Sequence, residues 1–128
     1  MTDLLLDTHV IVGIVDDGAR GLDRGTRSIV EAAGASLFVS VASLWEIAIK
    51  VRLGKLPMKA SLEALPAALD DFGIAIVPID ERHVLAELDR QPLTRDPFDR
   101  LLLAQCQVEG MRLVTLDRAL ADHPLAMR

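Results

Sequence analysis

An α/β fold, with a parallel sheet covered on both faces, is the class this sequence predicts, and three observations carry it. Short apolar runs alternate with stretches of helical periodicity, a rhythm that requires crossover connections between parallel strands. No linker, repeat or low-complexity tract interrupts that rhythm, so residues 1–128 read as one domain. The apolar fraction, 51%, is enough to fill a single core and too high for a disordered chain.

The elements follow in order. Leu4-Leu5-Leu6 reads as a buried strand ending at Asp7, followed by a helix over Thr8 to Val15 and a turn bearing Gly18, Arg20 and Gly21. A polar-faced helix spans Asp23 to Ala33 and closes at Gly34, and Ser36 to Ser40 is the second strand. Ala42 to Leu53 is a strongly patterned helix stopped by Gly54. Ser61 to Phe72 is helical, with Pro66 splitting it into two short pieces. Ile74 to Ile79 is the third strand and Asp80 to Asp89 a further helix. Pro97 opens a helix that runs to Gly110, Arg112 to Leu116 is the fourth strand, and a short helix follows Asp117. Four strands are legible; a fifth would have to come from the terminal HPLAMR, which has no apolar run.

Composition narrows the setting. One cysteine, Cys106, permits no internal disulfide and reads as a small core residue, compatible with a reducing cytosol. The opening MTDLLLDTHV carries Asp3 and Asp7 and lacks both a basic start and a small-residue cleavage site, so neither a signal peptide nor a membrane span is expected. The expected location is cytoplasmic. A net charge of −5 argues against a nucleic-acid partner only if the acids are spread evenly and hold no metal.

In parallel sheets, function collects at the carboxyl ends of the strands, where strand order reverses. Asp7 follows the first strand and Asp117 the fourth, so two strand exits each present an acid. On the helix opened by Pro97, Asp99 falls within the stripe of Leu102, Leu103 and Cys106. An acid there is costly unless a metal, a proton or a partner meets it, although a capping role in the first turn is the plainer alternative. Asp96, before a proline, suits the N-cap position itself. Glu46 lies outside the Leu44, Ile47, Ala48 and Val51 stripe, and its spacing alone favours an ordinary pair with Lys50.

The segments LLLDTHV, SLWEIAIK, DPFDRLLLAQCQVEG and LVTLD, in that order, resemble the motifs of PIN-domain ribonucleases, most closely the VapC toxins of bacterial toxin–antitoxin pairs. The resemblance runs from residue 4 to residue 117. It implies a three-layer α/β/α sandwich around a parallel sheet of four or five strands. It also implies endonucleolytic cleavage of RNA with Mg²⁺ or Mn²⁺, dimerisation, and inhibition by a VapB-type antitoxin, with tRNA or rRNA as possible substrates. The family's acidic cluster falls on Asp7, Glu46, Asp99 and Asp117. The first helix departs from the family pattern, reading VIVGIVDDGARG where large aromatics are frequent.

Four carboxylates within about 6 Å repel by roughly 3 kcal/mol per pair at an effective dielectric near 20, and a divalent cation removes that cost. Asp7 and Asp99 are assigned to the principal metal, with Asp117 and Glu46 completing the cluster through water or a second ion. Thr8 and Thr115 are candidates to orient a carboxylate or a water, or else form local turn bonds. Lys50, Arg52, Lys55 and Lys59, with a second group of Arg20, Arg24 and Arg27, are candidate RNA contacts or simply solvated faces. Trp45, Phe38, Phe72 and Phe98 read as core or interface, which favours recognition of RNA by shape over base stacking. Trp45, Ile49 and Leu53 form a second apolar stripe, a candidate dimer or antitoxin interface. His9 borders the first motif, whereas His83 and His123 read as surface groups. Two other classes remain open: a phospho-acceptor signalling domain, and a non-catalytic binding module whose acids are caps and surface charges.

Overall fold

In the computed structural model, which describes residues 2–127, four parallel strands form one sheet in the order β3-β2-β1-β4. The strands are β1 (Thr2–Leu6), β2 (Ala35–Ser40), β3 (Ile74–Val77) and β4 (Arg112–Val114). The helices are α1 (Thr8–Asp17), α2 (Arg24–Val30), α3 (Val41–Arg52), α4 (Leu65–Asp71), α5 (Glu81–Val84), α6 (Pro97–Glu109) and α7 (Arg118–Ala121).

The side-chain period of two makes the layers. Leu4 and Leu6 point to one face, where they pack with Ile11, Ile47 and Leu69 from α1, α3 and α4. Leu5 points to the other, against Leu102, Leu103 and Cys106 of α6 and Leu120 of α7. Register agrees: Leu5 stands beside Phe38 and Leu113, and Leu6 beside Val39 and Val114. Parallel crossovers are right-handed, so a chain that steps from β1 to β2 to β3 keeps its helices on one face. Joining β4 to the far side of β1 reverses the step and puts α6 on the opposite face. The result is the expected three-layer sandwich, with the reversal of strand order lying between β1 and β4.

Each helix adjoining the sheet's carboxyl edge has a side-chain cap. Asp7, Ser40, Asp96 and Asp117 accept from the first-turn amides of α1, α3, α6 and α7. Among the described residues no helix is long and apolar enough to cross a membrane.

Several expectations change. The helix expected over Asp80 to Asp89 is one turn, because Val84 and Leu85 find no apolar surface and stay exposed. Leu88 reaches the core from irregular chain instead, while the Gln107 side chain bonds the Asp89 amide and the Glu87 carbonyl that a helix would have paired. Pro66 does not split a helix but sits in the first turn of α4, where its missing N–H costs nothing. The second helix is Arg24–Val30, with Asp23 as its cap. The third strand stops at Val77, since Pro78 cannot donate to a ladder. HPLAMR gives no fifth strand among the described residues, only a single parallel bridge between Ala126 and Leu113.

His83 and His123, expected at the surface, are buried. Each ring satisfies both nitrogens. His83 Nδ1 accepts from the Asp80 amide and Nε2 faces Glu109, while His123 Nδ1 accepts from the Leu125 amide and Nε2 faces the Arg90 carbonyl. Burial is tolerable on those terms.

Candidate active site

The carboxyl ends of β1 and β4 deliver the acids that the strand pattern singles out. Asp7 leaves β1 and caps α1, its Oδ1 accepting from the Val10 amide at 3.2 Å. Only 6% of the residue is exposed. Thr115, the first residue past β4, donates its hydroxyl to Asp7 Oδ2 and accepts from the Asp117 amide at 3.0 Å. One threonine therefore ties the two strand-exit acids together. Asp117 Oδ1 in turn accepts from the Ala119 amide at 2.9 Å.

The other two acids reach the same place from helices in opposite layers. Glu46 lies in the second turn of α3, and its side chain is 13% exposed. Its Oε1 accepts from the Thr8 hydroxyl and its Oε2 from Lys50 Nζ at 2.9 Å. The ordinary Glu-to-Lys pair is present, but it is turned inward and held by a third residue. Asp99, in the first turn of α6, accepts from the Thr94 hydroxyl at 3.1 Å. The capping role belongs to Asp96, which accepts from the Phe98 amide at 2.9 Å.

These residues surround a cleft of about 200 Å³ whose walls include Asp7, Thr8, Glu46, Lys50, Asp99 and Asp117. His9, Asp96 and Leu102 complete it. A hollow of about 300 Å³ beside α5 and α6 is larger, but its lining is mostly apolar and it touches no strand-exit acid.

The electrostatics show how closely the acids are gathered. Burial raises the Asp7 carboxyl above its ordinary range, against the opposing pull of Thr115, the Val10 amide and His9. Asp99 is pushed up to about 6, first by burial and then by the charge of Asp96, with smaller contributions from Asp117 and Glu46; the Thr94 bond opposes the rise. Lys50 is raised by its bond to Glu46. Among the described residues no three acidic, cysteine or histidine side chains converge into a ready-made ion cage, and threonine hydroxyls occupy oxygens of Asp7 and Glu46.

Of the basic candidates, only Lys50 lines the cleft. Arg20 follows α1, whose ten residues carry the chain about 15 Å from Asp7. Arg52 and Lys55 lie beyond Lys50, toward the distal end of α3. Lys59 pairs with Asp17 at 2.8 Å and Arg27 with Glu31 at 2.7 Å. In the second stripe of α3, Trp45 is 63% exposed and Leu53 62%, while Ile49 is half-buried. Thr94 escaped the sequence reading. Its signal was present as a threonine two residues before Asp96, where it accepts from the Asp96 amide while donating to Asp99.

The PIN domain family profile matches residues 4–124. Over 59 residues the chain is 41% identical to Ribonuclease VapC16 of Mycobacterium tuberculosis, a stretch covering 45% of this chain and 42% of that protein. A solved structure, VapBC2 from Rickettsia felis bound to a DNA fragment from their promoter, contains a chain that superposes with a TM-score of 0.64. That superposition covers 98% of this chain and 96% of the other at 18% identity, a likeness of fold. With the profile spanning nearly its whole length, from the first strand past the last acid, the chain belongs to the PIN domain family.

Proposed function

We propose that this protein is a divalent-metal-dependent endoribonuclease, the toxin of a toxin–antitoxin pair, which cleaves structured RNA at the acidic cleft. The observation that carries the reading is the meeting of Asp7, Glu46, Asp99 and Asp117, from two strand exits and two opposed helices, around one cleft. Structural caps alone do not require that. Glu46 caps nothing, and Asp99 leaves the capping of α6 to Asp96. The relative named a ribonuclease and the VapBC2 neighbour support the same direction.

The donor set fits a hard cation. It is all oxygen, two of its carboxyls are held above their ordinary range, and Lys50 is the cation that lines the cleft. Among hard cations, Mg²⁺ keeps several waters and takes one or two carboxylates directly. Asp7 and Asp99 would hold the ion, with Asp117 and Glu46 acting through water or a second ion. When bound, Mg²⁺ or Mn²⁺ supplies Lewis acidity toward the hydrolytic water and the scissile phosphate.

The protein's own groups do the positioning. Thr115 fixes Asp7 and Thr8 fixes Glu46, so both carboxylates are oriented before substrate arrives. Lys50 Nζ, held by Glu46, has further donors for a phosphate oxygen. Arg20, Arg52 and Lys55 would serve only RNA phosphates remote from the cut. A VapB-type antitoxin and a second copy of the chain are the proposed partners, meeting α3 at Ile49 and Leu53, and the cytoplasm is the proposed setting.

The test is cleavage of a folded RNA such as tRNA by the purified protein. Mg²⁺ or Mn²⁺ should support it, Ca²⁺ only poorly because its looser coordination positions water less well, and excess EDTA should abolish it. Cleavage that survived rigorous chelation would overturn the metal-dependent mechanism.

A further inference from the structure

Trp45 is the only tryptophan of the chain, and the fold leaves it 63% exposed. A large aromatic at that exposure has forgone most of the stabilisation that burying its ring would bring. It is nevertheless held in place. Its ring meets Phe98 edge to face, with centroids 5.7 Å apart and planes at 65°. The pair stands where α3 meets α6. Trp45 directly precedes Glu46 and Phe98 directly precedes Asp99, and both acids line the cleft.

Direction reinforces the placement. Helical side chains lean toward the helix N-terminus, and α3 begins at the carboxyl end of β2, the edge of the sheet where the acids gather. Lys50, the cation lining the cleft, is on the same helix. An anchored, exposed indole one residue along α3 from a cleft-lining acid, its ring partner one residue from another, has the layout of a stacking platform for nucleic acid.

We propose that Trp45 stacks against an unpaired nucleobase flanking the scissile phosphate, making it a specificity-determining residue. The inference rests on the ribonuclease reading above and narrows it. The contact requires an unpaired base at the cleavage point, because a base inside a continuous duplex cannot offer its face to the indole. A protein–protein role for the same side chain is the competing outcome.

The single tryptophan makes the test direct, since intrinsic fluorescence reports on Trp45 alone. The Asp99→Asn protein, chosen so that the RNA is bound without being cut, would be titrated with an RNA hairpin bearing an adenine loop, and separately with a blunt duplex of the same stem. Quenching by the hairpin and little by the duplex is expected. In the wild-type background, Trp45→Ala should raise KM for the hairpin about five-fold or more with a smaller effect on kcat, and Trp45→Phe should recover part of the loss. Replacing loop adenines with abasic sites should erase the difference between Trp45→Ala and wild type.

Equal KM values for wild type and Trp45→Ala, or quenching that ignores loop and duplex alike, would overturn the stacking role. So would a Trp45→Ala protein that loses its dimer by light scattering yet cleaves the hairpin with unchanged KM, which would make the indole an interface residue. Failure of the nuclease reading looks different: hairpin quenching and loop preference persist while no RNA is cut by the wild-type protein in Mg²⁺ or Mn²⁺.

Discussion

Asp96 and Asp99 are three residues apart in one turn and hold different partners, the Phe98 amide and the Thr94 hydroxyl. Asp96 spends its carboxylate on the Phe98 amide, a bond that asparagine makes about as well. Asp99 has no such duty and carries a carboxyl pushed up to about 6. Asp96→Asn should therefore leave RNA cleavage within a few-fold of wild type, while Asp99→Asn should lower it by orders of magnitude with the fold intact. The reverse pattern would exchange the two assignments. Stability gives a second reading, without metal. A carboxyl raised in the folded state favours folding below its unfolded value of 3.8 and loses that contribution as pH rises through about 6. Asp99→Asn removes the effect, so its melting temperature relative to wild type should rise between about pH 4 and pH 6 and level off above. Thermal melts of both proteins across that range in EDTA check the sign. At this scale the sequence showed which acids stood out of place, because an acid in an apolar stripe or at a strand exit is visible in the spacing. It left the bonds of Thr8, Thr94 and Thr115 open, since a hydroxyl's partner depends on chain 5 to 108 residues away.

Helix α6 shows what local sequence specifies at the scale of an element. Asp96 and Pro97 start it, and Gly110 ends it in the left-handed region at φ 70. A Cβ placed on Gly110 would meet nothing within 4 Å, so the cost of Gly110→Ala is conformational alone. It should be about 1 kcal/mol, read as a shift in urea midpoint at unchanged slope. A larger loss would mean that the turn into β4 also needs the glycine for packing. The single turn of α5 is the contrary case. Residues 80–89 carry a helical pattern, yet the helix ends after Val84 because Gln107, on α6, satisfies the backbone of the following segment. Periodicity describes what a segment can bury, and only its neighbours decide whether the surface exists.

The whole molecule places four acids from distant parts of the chain at one end of a sheet. Without a cation their mutual repulsion opposes folding, and a ligand that binds the folded state alone stabilises it by mass action. Mn²⁺ at one hundred times its dissociation constant would add about 2.7 kcal/mol, a shift of several degrees in melting temperature. Wild type should show that shift in differential scanning fluorimetry, and Asp99→Asn should lose most of it. Equal shifts in the two proteins would mean that the ion binds elsewhere.

What the sequence determined by itself was the alternation of strands and helices, the two buried faces of the sheet, the strand-exit positions of Asp7 and Asp117, and the Asp96 cap with the Gly110 stop of α6. All follow from spacing within about ten residues, where periodicity and turn chemistry act. The tertiary structure decided the rest: that Glu46 turns its carboxylate inward to Thr8, that His83 and His123 can be buried because backbone groups and the Glu109 carboxylate meet their rings, and that Trp45 stands exposed against Phe98 where α3 meets α6. Each depends on which surfaces the parallel crossovers bring together, and the reversal between β1 and β4 brings opposite layers to one cleft.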